Sequence, residues 1–222
     1  NILDFSSKDY LNNFEVVNSL RKGRMIRMRQ CLSYTKLLRN AIEGFEEDLV
    51  NNSELGEIIT NYDDYELPAK LEKLILIVKE FQIRNEKVVI WAHFIETIKL
   101  IEKQFKLNGF KCKKIIGETP SERSTVSEEE TREKIRNEFV SCDSGLDILL
   151  ANPAACAESI SLHKTCYNAI YYDLSYNGAQ YLQSLDRIHR VGGSEEQESY
   201  YHFLHYENTI EPDILSNLES KK

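Results

Sequence analysis

The chain has 222 residues, enough for one domain of ordinary size with a smaller appended segment. Its 41% hydrophobic content can form a buried core, and its formal net charge of -8 excludes the overall basic character typical of nucleic-acid-binding domains. A local basic patch would still allow such binding, because the interaction depends on the charge near the phosphates rather than on the total.

The cysteines and the lengths of the apolar runs indicate in which cellular compartment the protein is expected. None of the five cysteines, Cys31, Cys112, Cys142, Cys156 and Cys166, has C-x-x-C spacing, so no zinc site is expected. Their apolar or mixed surroundings favour reduced thiols in a cytoplasmic protein. No run of about 18 apolar residues and no signal peptide occurs, so no membrane partner is predicted. Because the chain begins with Asn1 rather than Met, we expect a fragment of a longer protein.

The first 67 residues are predicted to form a helical extension. "MIRMRQCLSYTKLLRNAI" (25–42) has apolar residues at three- and four-residue spacing with basic residues between them, a helical pattern. "EEDLVNNSELGEIITNYDDYEL" (46–67) is acidic and predicts a surface segment or short helices. Pro68 opens a differently patterned region, so we predict a helical extension or linker over 1–67 and a second domain over 68–222.

From Ala69 onwards the chain alternates between helical and strand patterns. Helices are predicted at 69–84, 94–109, 127–140 and 179–190, and strands at 87–92, 111–117, 146–151, 167–174 and 199–204. Strands that alternate with helices pair in parallel through crossovers, and near-continuous apolar strands belong to a sheet covered on both faces. The predicted fold is therefore an α/β sandwich whose ligands bind beyond the carboxyl ends of the strands.

Four polar residues share one face of the helix predicted over 181–190. At about 100° per residue they follow the spacing i, i+3, i+4 and i+7: Gln183, Asp186, Arg187 and Arg190. Leu182, Leu185 and Ile188 fall on the opposite face, towards the sheet. Two guanidinium groups one turn apart suit phosphate oxygens, which arginine binds bidentately. The alternative is a solvated charged face with an Asp–Arg pair.

The segment "QSLDRIHRVGG" (183–193) resembles Q-x-x-D-R-x-H-R-x-G-Q, which is motif VI of superfamily-2 helicases and translocases. The SWI/SNF-type ATPases and their bacterial relatives are the most similar group. Other stretches resemble family motifs in the same order: "EKVVIWAHF" motif IV, "KIIGETP" a G-x-T loop, "TREKIRNEF" the R-x-x-x-I-x-x-F helix and "LDILLANPAACAESISL" motif V. The resemblance implies a RecA-like fold.

Two family motifs are absent from the sequence. It contains no G-x-x-x-x-G-K-[ST] loop to cradle phosphates and no D-E-x-H box for magnesium. In the family both belong to the first of two RecA-like lobes, so the chain resembles the second lobe alone. The expected partner is the N-terminal RecA-like lobe of the same protein, which would bind most of the ATP and Mg2+. We expect this chain not to hydrolyse ATP by itself.

The resemblance implies roles for the residues on the nucleotide side. Arg187 and Arg190 would supply positive charge to the γ-phosphate when the two lobes close, with Arg190 as the first candidate. Gln183 and Asp186 would support them. Glu158 matches a position that lies near the nucleotide ribose or the lobe interface in several relatives.

The resemblance also implies nucleic-acid contacts in the loops that follow the strands. Gly117, Thr119 and Asn152 match positions at which the family contacts the phosphate backbone, a contact that does not read sequence. His93 is a further candidate, with a plain turn residue as the alternative. The expected substrate is double-stranded DNA, although the sequence does not distinguish DNA from RNA.

Motif V is where the chain departs most from the family pattern. "AACAES" (154–159) stands where the family has a glycine-rich run, and Gly193 replaces the usual glutamine. These departures and the acidic balance motivate a second hypothesis, a catalytically degenerate lobe that acts as a scaffold or protein-interaction module. An unrelated Rossmann-type enzyme is disfavoured, because no G-x-G-x-x-G follows any predicted strand.

Overall fold

The computed structural model describes residues 7–39, 54–121, 130–156, 161–189 and 198–221, with burial described from residue 17 onwards. The chain divides into two compact units, Asn1–Glu66 and Leu67–Lys222. Within the described residues, no helix is both long enough and apolar enough to cross a bilayer.

The first unit is helical, as the sequence predicted. It contains helix α1 (Ser7–Ser33), a 3-10 helix (Thr35–Arg39) and two short helices, α2 (Glu54–Thr60) and α3 (Tyr62–Tyr65). The Tyr34 hydroxyl donates to the Asp63 carboxylate at 2.7 Å, and the Lys36 ammonium lies 3.0 Å from the same carboxylate. These contacts join the 3-10 helix and the residue before it to α3, which lies within the acidic segment. Residues 40–42 of the predicted first helix lie outside the described residues.

The second unit is built on a five-stranded parallel sheet. Its strands are β1 (Lys87–Trp91), β2 (Cys112–Ile115), β3 (Ile148–Ala151), β4 (Cys166–Tyr171) and β5 (Tyr200–Phe203), in the order β2-β3-β1-β4-β5. Every neighbouring pair is parallel, so their carboxyl ends lie along one edge. Its helices are α4 (Ala69–Ile83), α5 (Ile95–Leu107), α6 (Arg132–Val140), α7 (Gly178–Leu185) and α8 (Ile210–Glu219).

Both faces of the sheet are covered, which confirms the predicted fold. Successive side chains of a strand point to opposite faces, and residues 88–91 of the central strand are all buried. Val89 and Trp91 belong to an apolar core shared with helices α6, α7 and α8. On the other face, helices α4 and α5 bury apolar side chains of their own.

Helix α6 begins at Arg132 rather than at residue 127, α5 is shorter by one residue at its start and two at its end, and the largest differences concern the last two helices. Helix α7 ends at Leu185, and a turn follows in which the Arg187 amide donates to the Ser184 carbonyl at 3.3 Å. The Arg187 carbonyl accepts from the Leu162 amide at 2.9 Å instead of continuing the helix. Helix α8 was not predicted. It includes Pro212 in its first turn, where the missing amide hydrogen costs no intrahelical bond.

Candidate functional site

Asn152 ties together the loops at the carboxyl edge of the sheet. Its side-chain amide nitrogen donates to the His93 carbonyl at 2.8 Å and to the Ala92 carbonyl at 3.3 Å. Its side-chain oxygen accepts from the Ala154 amide at 3.0 Å and from the Ala155 amide at 3.3 Å. The residue is buried, so its polar groups are used within the unit. Any phosphate contact in this loop would therefore come from a neighbouring group that Asn152 positions.

His93 lies half-buried where the β1 loop meets the β4 loop. Its backbone amide donates to the Asp173 carboxylate at 2.7 Å, and its carbonyl accepts from Asn152. Asp173 is almost fully buried. Sequence reasoning did not single out Asp173, although an acid directly after a buried strand is the kind of signal that could have found it. The backbone of His93 is thus held on both sides.

The loop after β2 presents Gly117 to solvent. A Cβ atom at this position would meet no atom within 4 Å, and the residue does not have a positive φ angle. The Thr119 hydroxyl accepts from the Ile116 amide at 3.0 Å, and the Thr119 amide donates back to the Ile116 carbonyl at 3.0 Å. The fold therefore does not itself require glycine at position 117, and the threonine closes a tight turn beside it.

Arg132, the first residue of α6, contacts two of these loops at once. Its guanidinium group donates to the carbonyls of Thr119 at 2.9 Å, Gly117 at 3.1 Å and Ala155 at 2.9 Å. Sequence reasoning recognised this arginine only as part of a family helix pattern and assigned it no role. The sequence does not show that three carbonyls bind this one side chain; only the tertiary structure does.

The amphipathic pattern of the α7 segment agrees with the sequence prediction. Gln183 and Asp186 are exposed, whereas Leu185 and Ile188 are buried. Arg187 is half-buried. Its carbonyl accepts from the Leu162 amide, and the Leu162 carbonyl accepts from the Cys166 amide at 3.1 Å, so the backbone of Arg187 lies near the start of β4. This backbone is therefore placed at the amino-terminal end of β4, whereas the sequence analysis expected ligands beyond the carboxyl ends of the strands. Arg190 and Glu158 lie outside the described residues.

Cys156 is a buried residue in the segment after β3, and its thiol is affected by the charges of two arginines, Arg132 and Arg187. Its side chain is 2% exposed, and burial raises the pKa of its thiol to about 12, an effect opposed by the positive charges of Arg132 and Arg187. Both guanidinium groups are thus close enough to act on the same buried sulfur.

Burial predicts which thiols react in the native chain. Cys156 and Cys166 are buried and burial raises the pKa of each to about 12, so neither forms appreciable thiolate at neutral pH. Cys142 is exposed. With iodoacetamide at pH 7.5, mass spectrometry should find Cys142 alkylated first and the two buried thiols unmodified until denaturant is added. Rapid native labelling of Cys156 would contradict the packing described for its loop.

Among the described segments, no three histidine, cysteine, aspartate or glutamate side chains form a group that could hold a metal ion. Two guanidinium groups are described at the site, those of Arg132 and Arg187, and that of Arg132 donates to three backbone carbonyls.

Comparisons with known proteins agree with this geometry. A model described as the helicase conserved C-terminal domain matches residues 69–192. The chain is 23% identical to "Protein CHROMATIN REMODELING 5" of Arabidopsis thaliana over 197 residues, which are 89% of this chain and 10% of that protein. It is 24% identical to "SWI/SNF-related matrix-associated actin-dependent regulator of chromatin subfamily A member 1" of Mus musculus over 229 residues, or 98% of this chain and 19% of that protein.

A solved structure supports the same fold. The C-terminal part of the Fun30 ATPase domain matches with a TM-score of 0.58 and 23% identity, covering 74% of this chain and 53% of that chain. The predicted RecA-like fold is thereby confirmed. The chain spans only about a tenth to a fifth of the two curated relatives described above.

Proposed function

Since the chain belongs to the helicase conserved C-terminal domain family, we propose that it is the second motor lobe of an ATP-dependent DNA translocase. The main support for this proposal comes from the contacts of the 152–156 segment. It joins loops at the carboxyl edge through Asn152 and binds the Arg132 guanidinium through the Ala155 carbonyl, and further along the chain before β4 the Leu162 amide binds the Arg187 carbonyl. A lobe of this kind can contact nucleic acid at one end and a nucleotide near Arg187.

On the nucleotide side, this chain would contribute arginines rather than a phosphate-binding loop. Arg187 and Arg190 would place positive charge against the γ-phosphate of ATP held by the N-terminal lobe, where Mg2+ would also be bound. Such charge stabilises the transition state of phosphoryl transfer. Gln183 and Asp186, exposed beside Arg187, would orient these groups, and Glu158 would approach the ribose or the facing lobe.

On the nucleic-acid side, the loop after β2 would meet the phosphate backbone of double-stranded DNA. Gly117 is exposed and leaves room for close backbone approach; Thr119 lies half-buried in the same loop, and His93 lies half-buried in the loop after β1. Asn152 would act by holding these loops in place. Such contacts position a duplex without reading its sequence. Closing and opening of the two lobes would then move them along DNA.

A direct experiment tests the proposal in the complete protein, with the first lobe present. ATP turnover should rise when double-stranded DNA is added, and DNA affinity should fall with increasing salt and respond to a non-hydrolysable ATP analogue. The 222-residue chain alone should show no turnover. The degenerate-scaffold hypothesis, favoured by the alanines at 154 and 155 and the net charge of -8, predicts neither DNA stimulation nor nucleotide-dependent binding.

Gly117→Ala should weaken DNA binding without affecting the fold. The added methyl group meets nothing within 4 Å in the lobe, so the thermal midpoint should not change. Against a closely approaching phosphate it would disturb about one hydrogen bond, which corresponds to a roughly two- to tenfold higher Kd. Fluorescence anisotropy with a labelled duplex measures this change. Unchanged affinity would remove Gly117 from the proposed interface.

A further inference from the structure

The guanidinium group of Arg132 joins two loops that are far apart in the sequence. It donates to the Gly117 and Thr119 carbonyls in the loop after β2, and to the Ala155 carbonyl in the loop after β3. These are three separate nitrogen donors, each bound to a different carbonyl oxygen. A rigid planar fork of this kind fixes the spacing of the groups that it binds.

The backbone around Arg132 is fixed as well. Its amide donates to the Pro120 carbonyl at 2.9 Å, and the Thr131 hydroxyl caps the helix by accepting from the Lys134 amide at 3.3 Å. A Ser/Thr cap of this type stabilises the first turn of a helix. The fork therefore projects from a rigid helix start rather than from a flexible loop.

The two loops that Arg132 joins belong to different parts of the proposed motor, one on the DNA side and one near Arg187. Gly117 and Thr119 belong to the loop proposed to contact DNA. Ala155 belongs to the segment between β3 and β4, in which the Leu162 amide donates to the Arg187 carbonyl at 2.9 Å. A displacement of the DNA-side loop would therefore be transmitted through one side chain to the segment beside Arg187.

We propose that Arg132 is a positioning residue that couples DNA binding at the Gly117–Thr119 loop to the arginines acting on ATP. The inference rests on the proposed function, and it adds that the coupling depends on the fork of Arg132 rather than on its charge. Lysine keeps the charge but offers one compact ammonium group in place of a planar fork. A lysine side chain therefore cannot bind all three carbonyls at the positions that the guanidinium group reaches.

The test compares Arg132→Lys with Arg136→Lys in the complete protein. Arg136 lies one turn further along α6 and donates to the Ser161 carbonyl at 3.2 Å, late in the segment between β3 and β4. Among the described residues, its guanidinium group is not bonded to the carbonyls of Gly117, Thr119 or Ala155. ATP turnover is measured with and without saturating duplex DNA, well below the unfolding temperature. Arg132→Lys should lower the DNA stimulation, which is the ratio of the rates with and without DNA, about 2- to 30-fold, the usual range for a coupling residue. Arg136→Lys should keep the full stimulation.

Hydrogen exchange gives a second readout that does not depend on turnover. In Arg132→Lys, amide exchange should become faster in both joined loops together, at Thr119 and at Ala155, whereas Arg136→Lys should leave both protected. Full DNA stimulation in Arg132→Lys, faster exchange in one loop only, or an equal loss of the basal and stimulated rates would each overturn the coupling role. Absence of stimulation in the unsubstituted protein would instead overturn the proposed function.

Discussion

Replacement of Arg190 or Arg187 with alanine is expected to lower ATP turnover by the complete protein about 10³- to 10⁵-fold, the range seen when an arginine finger is lost. The reason is that each side chain would neutralise charge that develops on the γ-phosphate only in the transition state, so kcat should fall much more than KM rises. Steady-state turnover with saturating duplex DNA measures the effect.

The control for these arginines is Arg84→Ala. Arg84 is an exposed arginine at the end of α4, whose guanidinium lies 5.1 Å from the Phe81 ring. Its removal deletes the same side chain elsewhere on the lobe, and turnover should remain normal. In Arg187→Ala the backbone bond from Leu162 to the Arg187 carbonyl is retained, so folding should be preserved. Wild-type turnover in both Arg187→Ala and Arg190→Ala, or unfolding of these two variants, would contradict the proposed role of the arginines in ATP hydrolysis.

Glu211→Gln is expected to destabilise the second unit by about 3–5 kcal/mol, the usual cost of breaking a buried ion pair. The Lys70 ammonium lies 2.6 Å from the Glu211 carboxylate, and both side chains are at most 5% exposed. The same ammonium donates to the Tyr172 carbonyl at 3.1 Å, and the other carboxylate oxygen accepts from the Tyr206 amide at 3.0 Å. Glutamine keeps the shape but leaves a buried charge without a counterion.

Denaturant unfolding followed by tryptophan fluorescence measures this loss, because Trp91 is the single tryptophan and is fully buried in the sheet. The matched control is Glu96→Gln, which breaks the exposed pair with Lys99 on α5. Solvent screening makes such surface pairs weak, so the control midpoint should not move. Equal midpoints for the two variants would show that the buried pair does not stabilise the unit.

Local patterns predicted the strands and the polar face of α7 well. The strand "KVVIWA" was recognisable because a parallel strand buried on both faces is apolar at nearly every position. The exposure of Gln183 and Asp186 followed from helical spacing alone. The end of α7 could not be predicted, since it depends on Leu162 binding the Arg187 carbonyl from another part of the chain.

The sequence by itself determined the alternation of elements, the apolar character of the sheet and the motif order that indicated a helicase C-terminal domain. Only the tertiary structure decided that Asn152 is consumed in holding loops, that Arg132 bridges two of them and that Glu211 neutralises a buried lysine. The physical reason is that periodicity and composition are properties of neighbouring residues. Hydrogen-bond partners and counterions are selected through space, as between Arg132 and Thr119, 13 positions apart, and between Lys70 and Glu211, 141 positions apart.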